Sequence, residues 1–280
     1  MTHSWFTYLN KLLRFHLNQS FLFLAILFFC CTCTKNEKKT LPNPWLEKFL
    51  KDVMFDQSGI YTLYGSKPMI RFPIFYYSDE EYQQMYESLS EKEKQTTIVL
   101  NDYDLPENWE NWERSQAQFL SKRYILIKQP IPDSPKESMI CFADLAKVAL
   151  CLEKHYNLFV RTLHQEFDPL QEALSLKNGS PFWDQVFDNA LLVGILYGFG
   201  EDNSFCFTWN IEKSLILHRQ FSDHLRFGTT IDNFGIPIFA TFSTLEDPMI
   251  EKYKKERAEI QKLYKGKDFV EVTLKQLFSN

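Results

Sequence analysis

The sequence predicts an α+β fold: a helix-rich amino-terminal two thirds gathered around a central apolar helix, with a mostly antiparallel sheet built from later strands. Three observations lead there. Before residue 197 apolar side chains recur at spacings of three and four over long stretches, the helical period. From Phe182 to Leu196 the chain is apolar nearly all round, the pattern of a helix at the centre of a fold. After Gly198-Phe199-Gly200 the character changes to short strand-like runs, and helices followed by strands argue α+β.

The elements follow in order. Asn43-Pro44-Trp45 opens a helix, with Pro44 at its first position and Trp45, Phe49 and Val53 on one face. Ile60 to Tyr64 reads as a strand, and Phe72 to Tyr77 as a second one held to an edge by Pro73. Ser78-Asp79-Glu80-Glu81 is a capping box. Pro106 starts a helix carrying Trp109, Trp112 and Phe119, and Tyr124 to Ile127 is a buried strand closed by Pro130, Pro132 and Pro135. Leu145, Val148, Leu152, Tyr156, Phe159 and Leu163 predict one helix over 142–167, which puts Cys141 and Cys151 beside or on it and too far apart to bridge. Asn178-Gly179 stops a helix, and Ser180-Pro181 caps and opens the apolar one. Phe205 to Trp209, Leu215 to His218 and Ile236 to Phe242 read as strands. Asp247-Pro248 caps a charged helix ending near Gly266, and Val270, Val272 and Leu274 alternate as a last strand.

The front of the chain says where the protein goes. Lys11 and Arg14 precede the nine apolar residues 21–29, and Cys30, Cys31 and Cys33 follow, the plan of a secretory signal. A membrane span needs roughly 20 apolar residues, more than this run supplies. A cysteine directly after such a run is the acylation site of a bacterial lipoprotein, with Cys31, or else Cys33, as the lipidated residue. The organisation expected is a leader over 1–33, a tether over 34–43 and one globular domain over 44–280. The competing reading of the leader is an uncleaved anchor, or a simple signal with incidental cysteines.

Composition narrows the function. The 280 residues include 26 Phe, and the apolar share of 45% suits a globular chain. Removing Lys11 and Arg14 leaves 29 basic against 36 acidic side chains, net −7. With no basic patch along the sequence, nucleic acid is excluded as a partner. The odd number of cysteines beyond the leader, Cys141, Cys151 and Cys206, makes no disulfide framework.

Motifs that could carry chemistry are sparse. Gly198-Phe199-Gly200 lacks a third glycine and ends a helix rather than opening one, so it is no dinucleotide fingerprint. His164-Gln165-Glu166 lacks the second histidine of a zinc helix, and no metal or cofactor is implied. Cys206, Asp223 and His224 supply the residue types of a thiol nucleophile, its orienting acid and its base. Trp109 and Trp112 with Glu107, Glu110 and Glu113 form either a carbohydrate platform or a core stripe with a solvated acidic side. Residues 59–69 either present Lys67 to a ligand, or form a structural turn with Gly65 at positive φ and Pro68 stiffening the exit.

Two stretches, Gly59-Ile60-Tyr61-Thr62-Leu63-Tyr64-Gly65-Ser66-Lys67-Pro68-Met69 and residues 191–203, together with the cysteine-ending leader, resemble uncharacterised lipoprotein-like proteins of chlamydia-type bacteria. The resemblance implies the cell envelope as location and carries no activity with it. The expectation is a membrane-anchored envelope protein, on the periplasmic face or in the outer membrane, that binds or scaffolds and meets the membrane through its leader. A tethered hydrolase using Cys206, Asp223 and His224 and a secreted, effector-type protein-binding module are the alternatives.

Overall fold

One long strand is flanked on each side by an antiparallel neighbour. In the computed structural model, which describes residues 44–91, 94, 104–115, 121–132, 134–213, 220–221, 228–241 and 247–278, three strands make this sheet. They are β1 (Met69–Phe75), β2 (Tyr124–Ile131) and β3 (Ser134–Asp144), in the order β1-β3-β2. The register sets Phe72 opposite Ile140 and Leu126 opposite Phe142. Pro73 lies on the edge strand β1, where the missing N–H costs least.

Strand side chains alternate between faces, and here both faces are buried. Ile70, Phe72, Ile74, Tyr124, Ile140 and Phe142 enter one hydrophobic core, while Met69, Ile125, Cys141 and Ala143 enter another. On the first face pack α1 (Pro44–Lys51), which runs into a π-helical turn over Asp52–Asp56, and α2 (Gly59–Leu63). Beyond α3 (Asp79–Ser88), α4 (Asp104–Ser115) adds Trp109 and Trp112 to that core, their rings 6.0 and 5.3 Å from Phe49. On the second face pack α5 (Leu145–Lys154), α6 (Tyr156–Leu163), α7 (Pro169–Ser175), α8 (Pro181–Phe187) and α9 (Ala190–Leu196). The chain continues through α10 (Glu201–Lys213) and a two-stranded ribbon of β4 (Gln220–Phe221) and β5 (Ala240–Thr241). It closes with α11 (Pro248–Tyr264) and α12 (Phe269–Phe278), which return to the first core. Pro42–Asn280 forms one compact unit of α+β structure. No helix among the described residues is long and apolar enough to cross a membrane.

Caps are where local sequence and structure agree best. Ser78 accepts the Glu81 N–H while the Glu81 carboxylate accepts the Ser78 N–H, closing the capping box. Ser180 caps α8 and Asp247 caps α11, each followed by proline.

Several expectations are corrected. The principal sheet comes early, over 69–144, and the late part of the chain is mainly helical. Ile60–Leu63 lies in α2, and all four side chains are buried, a run too short and too uniformly apolar for periodicity to tell helix from strand. The segment 205–209 lies within α10, and 270–274 lies within α12, where Val270, Thr273 and Leu277 share the buried face. Cys141 belongs to β3, a central strand buried on both faces and so without alternation to betray it. The helix expected over 142–167 begins at Leu145 and breaks at His155. The central apolar helix is two helices of seven residues, α8 and α9. Asn189 separates them by accepting the N–H groups of Leu191 and Leu192, a side-chain cap that ends one helix and starts the next.

Candidate functional site

The turn between α9 and α10 separates two hollows and leans against a buried lysine. Gly198 holds φ +75°, and a Cβ there would stand 2.5 Å from the Tyr253 hydroxyl, which donates to the Gly198 carbonyl at 2.7 Å. Glycine is required on both counts. The turn sets the rings of Tyr197 and Phe199 edge to face at 5.9 Å. The Lys67 ammonium lies over both, 5.7 and 5.0 Å from their centres. Lys67 is only 4% exposed and has no carboxylate partner among the described residues. Burial pulls its pKa down to about 7. Gly65 keeps out of the positive-φ region expected of it; a Cβ at that position would strike the Glu256 carboxylate, which accepts the Ser66 N–H at 3.0 Å.

One hollow is an apolar cavity of about 300 Å³ between α9, α10 and residues 238–240. Its walls include Val193, Gly194, Tyr197, Phe199, Phe207 and Phe239. Phe199 stacks on Phe239 with centres 5.5 Å apart. The three polar lining groups are already committed: Asn203 donates to the Phe199 carbonyl at 3.1 Å, Ser204 to that of Gly200 at 2.6 Å and the Tyr197 hydroxyl to that of Arg71 at 3.4 Å. What remains facing the lumen suits an apolar molecule. Lys67 stands one layer back, against two of the lining rings.

The other hollow is an open groove of about 350 Å³ whose lining includes Cys151, Lys154, His155, Gly200 and Lys252. Residues distant in sequence meet there. His155, whose side chain is 10% exposed, sits at the break between α5 and α6, and its Nδ1 is 2.5 Å from a Glu201 carboxylate oxygen at the start of α10. A cysteine and a histidine thus line one groove, with an acid bonded to the histidine, the residue types of a thiol hydrolase. The Cys151 thiol, however, faces the Ile195 carbonyl at 3.8 Å, and burial pushes its pKa up to about 12. A protonated thiol is a poor nucleophile.

Of the site residues expected from sequence, Cys206 is described: it is 2% exposed and lies on α10 rather than on a strand. Asp223, His224 and His218 lie outside the described residues, as do Cys31, Cys33 and the rest of the leader and tether. Lys67 is buried, not displayed on a turn. Trp109 and Trp112 fill the core while Glu107 and Glu110 face outward, so the carbohydrate platform is a core stripe. Among the described residues no group of three or more His, Cys, Asp and Glu is placed to hold a metal. Neither hollow was foreseen, since His155 and Glu201 stand 46 residues apart and no local motif links them.

No family model, curated protein or solved structure matches the chain.

Proposed function

We propose that the protein is an exported, membrane-tethered bacterial envelope protein whose folded domain binds a small apolar ligand. The observation that carries binding is the cavity beside α9 and α10. A cavity of roughly 150 Å³ lined by aliphatic and aromatic side chains holds benzene. One of about 300 Å³ has room for a ligand of two fused rings or a chain of comparable bulk. Tethering is supported by the apolar run 21–29 with its cysteines, and by the resemblance to lipoprotein-like envelope proteins of chlamydia-type bacteria. Lipid attachment at Cys31 or Cys33 would provide the several acyl chains that stable anchoring needs.

Two measurements test the two halves. Intact mass and amino-terminal peptides of protein extracted from bacterial membranes should show a chain beginning at Cys31 or Cys33 with added acyl mass; a full-length, unmodified chain defeats the lipoprotein reading. For binding, wild type and Ala190→Phe, which fills the cavity, are compared in the same detergent with the neutral probe N-phenyl-1-naphthylamine. Wild type should show a saturable fluorescence rise above the common micelle background. Identical curves for the two proteins would remove the ligand reading.

A further inference from the structure

We infer that the groove beside His155 is a second binding site, distinct from the apolar cavity, and that it takes the phosphate group of an amphipathic ester. His155 is held by Glu201 through Nδ1, and its other ring nitrogen has no partner among the described residues although the side chain is nine-tenths buried. The histidine lines the groove with Nδ1–H committed to Glu201, so its other ring nitrogen accepts from a protonated phosphate oxygen while the ring is neutral and donates when the ring is charged. Lys154, from the end of α5, and Lys252, from α11, line the same groove. Neither is paired with a carboxylate among the described residues, whereas Lys147, also in the lining, is tied to Asp144 and to the Thr62 carbonyl. The Lys252 ammonium also lies over the Tyr253 ring, 5.5 Å from its centre.

Three acids in this region have partners of their own. Glu201 holds His155, Glu256 accepts the Ser66 N–H, and Asp144 lies between Arg123 and Lys147. Gly200, just before α10, is also in the lining, so the amino-terminal N–H groups of a thirteen-residue helix, whose first turn also carries Glu201 and Asp202, border the groove. Donors arriving from three separate elements match an anion with several oxygens better than a planar carboxylate that one arginine would clamp. The apolar part of the lining is Pro68, Leu150, Ile195 and Met249, with Leu150 63% exposed at the lip. This surface accommodates the carbon skeleton of the ester, whether a free phosphate ester or the headgroup of a phospholipid.

The test uses the full chain in dodecyl maltoside, a detergent without phosphate, titrated calorimetrically with glycerol 3-phosphate. Saturable binding is expected, falling about tenfold with Lys154→Gln, about tenfold with Lys252→Gln, and further with both, as charged hydrogen bonds are removed. Lys177→Gln and Lys275→Gln, exposed lysines outside the groove, should leave it unchanged. Ala190→Phe should also leave it unchanged, which separates this site from the cavity. Mixed micelles of the same detergent with phosphatidic acid distinguish the sources: suppressed titration identifies a lipid headgroup as occupant, and an unaltered one identifies a soluble ester. The inference is overturned by absence of binding at millimolar ester, by wild-type affinity in the Lys154→Gln/Lys252→Gln double variant, or by equal losses in the distant lysine controls.

Discussion

The ammonium of Lys67 lies 5.0 Å from the centre of the Phe199 ring, buried to 4% exposure and without a carboxylate partner among the described residues. Two aromatic faces offer a cation on the order of 2 kcal/mol each when desolvated, less than the penalty for burying it. Lys67 is therefore a destabilising residue kept in place by the fold around it.

Lys67→Met should accordingly stabilise the protein by about 2 kcal/mol at neutral pH, since a buried charge is replaced by an apolar chain of similar length. The pH dependence follows in sign. The folded lysine loses its proton near pH 7 and the unfolded one near 10.5, so between these values the unfolded chain binds more protons and stability rises with pH. The advantage of Lys67→Met over wild type is full below pH 7 and shrinks from pH 7 to 9. Urea unfolding of both proteins at pH 6, 7, 8 and 9 measures it; a gap that stays constant or widens would show that Lys67 is not the buried titrating group.

Asp144 ties three elements together. It caps α5 by accepting the Lys147 N–H, and its other oxygen accepts from Arg123 Nε and Nη2 at 3.0 and 2.7 Å, just before β2. Its carboxylate is fully buried while Arg123 is half exposed, so the pair is worth more than a surface bridge and less than a wholly buried one. Asp144→Ala should cost about 3 kcal/mol, and Asp144→Asn, which retains a capping side chain, about half of that. Chemical denaturation resolves the difference.

The thiols offer a direct check on chemistry. In the native protein iodoacetamide should reach the half-buried Cys151 slowly and should spare Cys141 and Cys206 until unfolding. Peptide mapping separates them from the leader cysteines. Modification of Cys206 at the rate of a free thiol would revive the hydrolase alternative.

What could be read in advance divides along a physical line. Caps were legible because they are local: Ser78 with Glu81, Ser180 with Pro181, and Asp247 with Pro248 each settle their bonds within four residues. Strand β3 was not, because a strand buried on both faces shows neither period, and Asn189 hid a helix break inside an apolar run. The site was less legible still. The turn at Gly198 could be recognised as a turn, but its contact with Tyr253 spans 55 residues. The meeting of His155 with Glu201, and of Lys154 with Lys252 in one groove, is produced by tertiary packing alone.

The same turn gives the last prediction, because it is the wall shared by cavity and groove. Tyr253→Phe removes the bond to the Gly198 carbonyl and should cost about 1 kcal/mol. Gly198→Ala forces a Cβ residue to φ +75° and drives it into the Tyr253 hydroxyl, so about 3 kcal/mol is expected. In the double variant the hydroxyl that collides is gone, leaving the backbone strain. Its cost should therefore fall short of the sum of the two by about 1 kcal/mol or more, the mark of residues in direct contact. A double-mutant cycle by urea unfolding reads this coupling. Strict additivity would mean that the turn is set by something other than Tyr253. Because Tyr197 and Phe199 flank Gly198, the single Gly198→Ala variant should also weaken probe binding in the cavity, while Tyr253→Phe leaves it nearly intact.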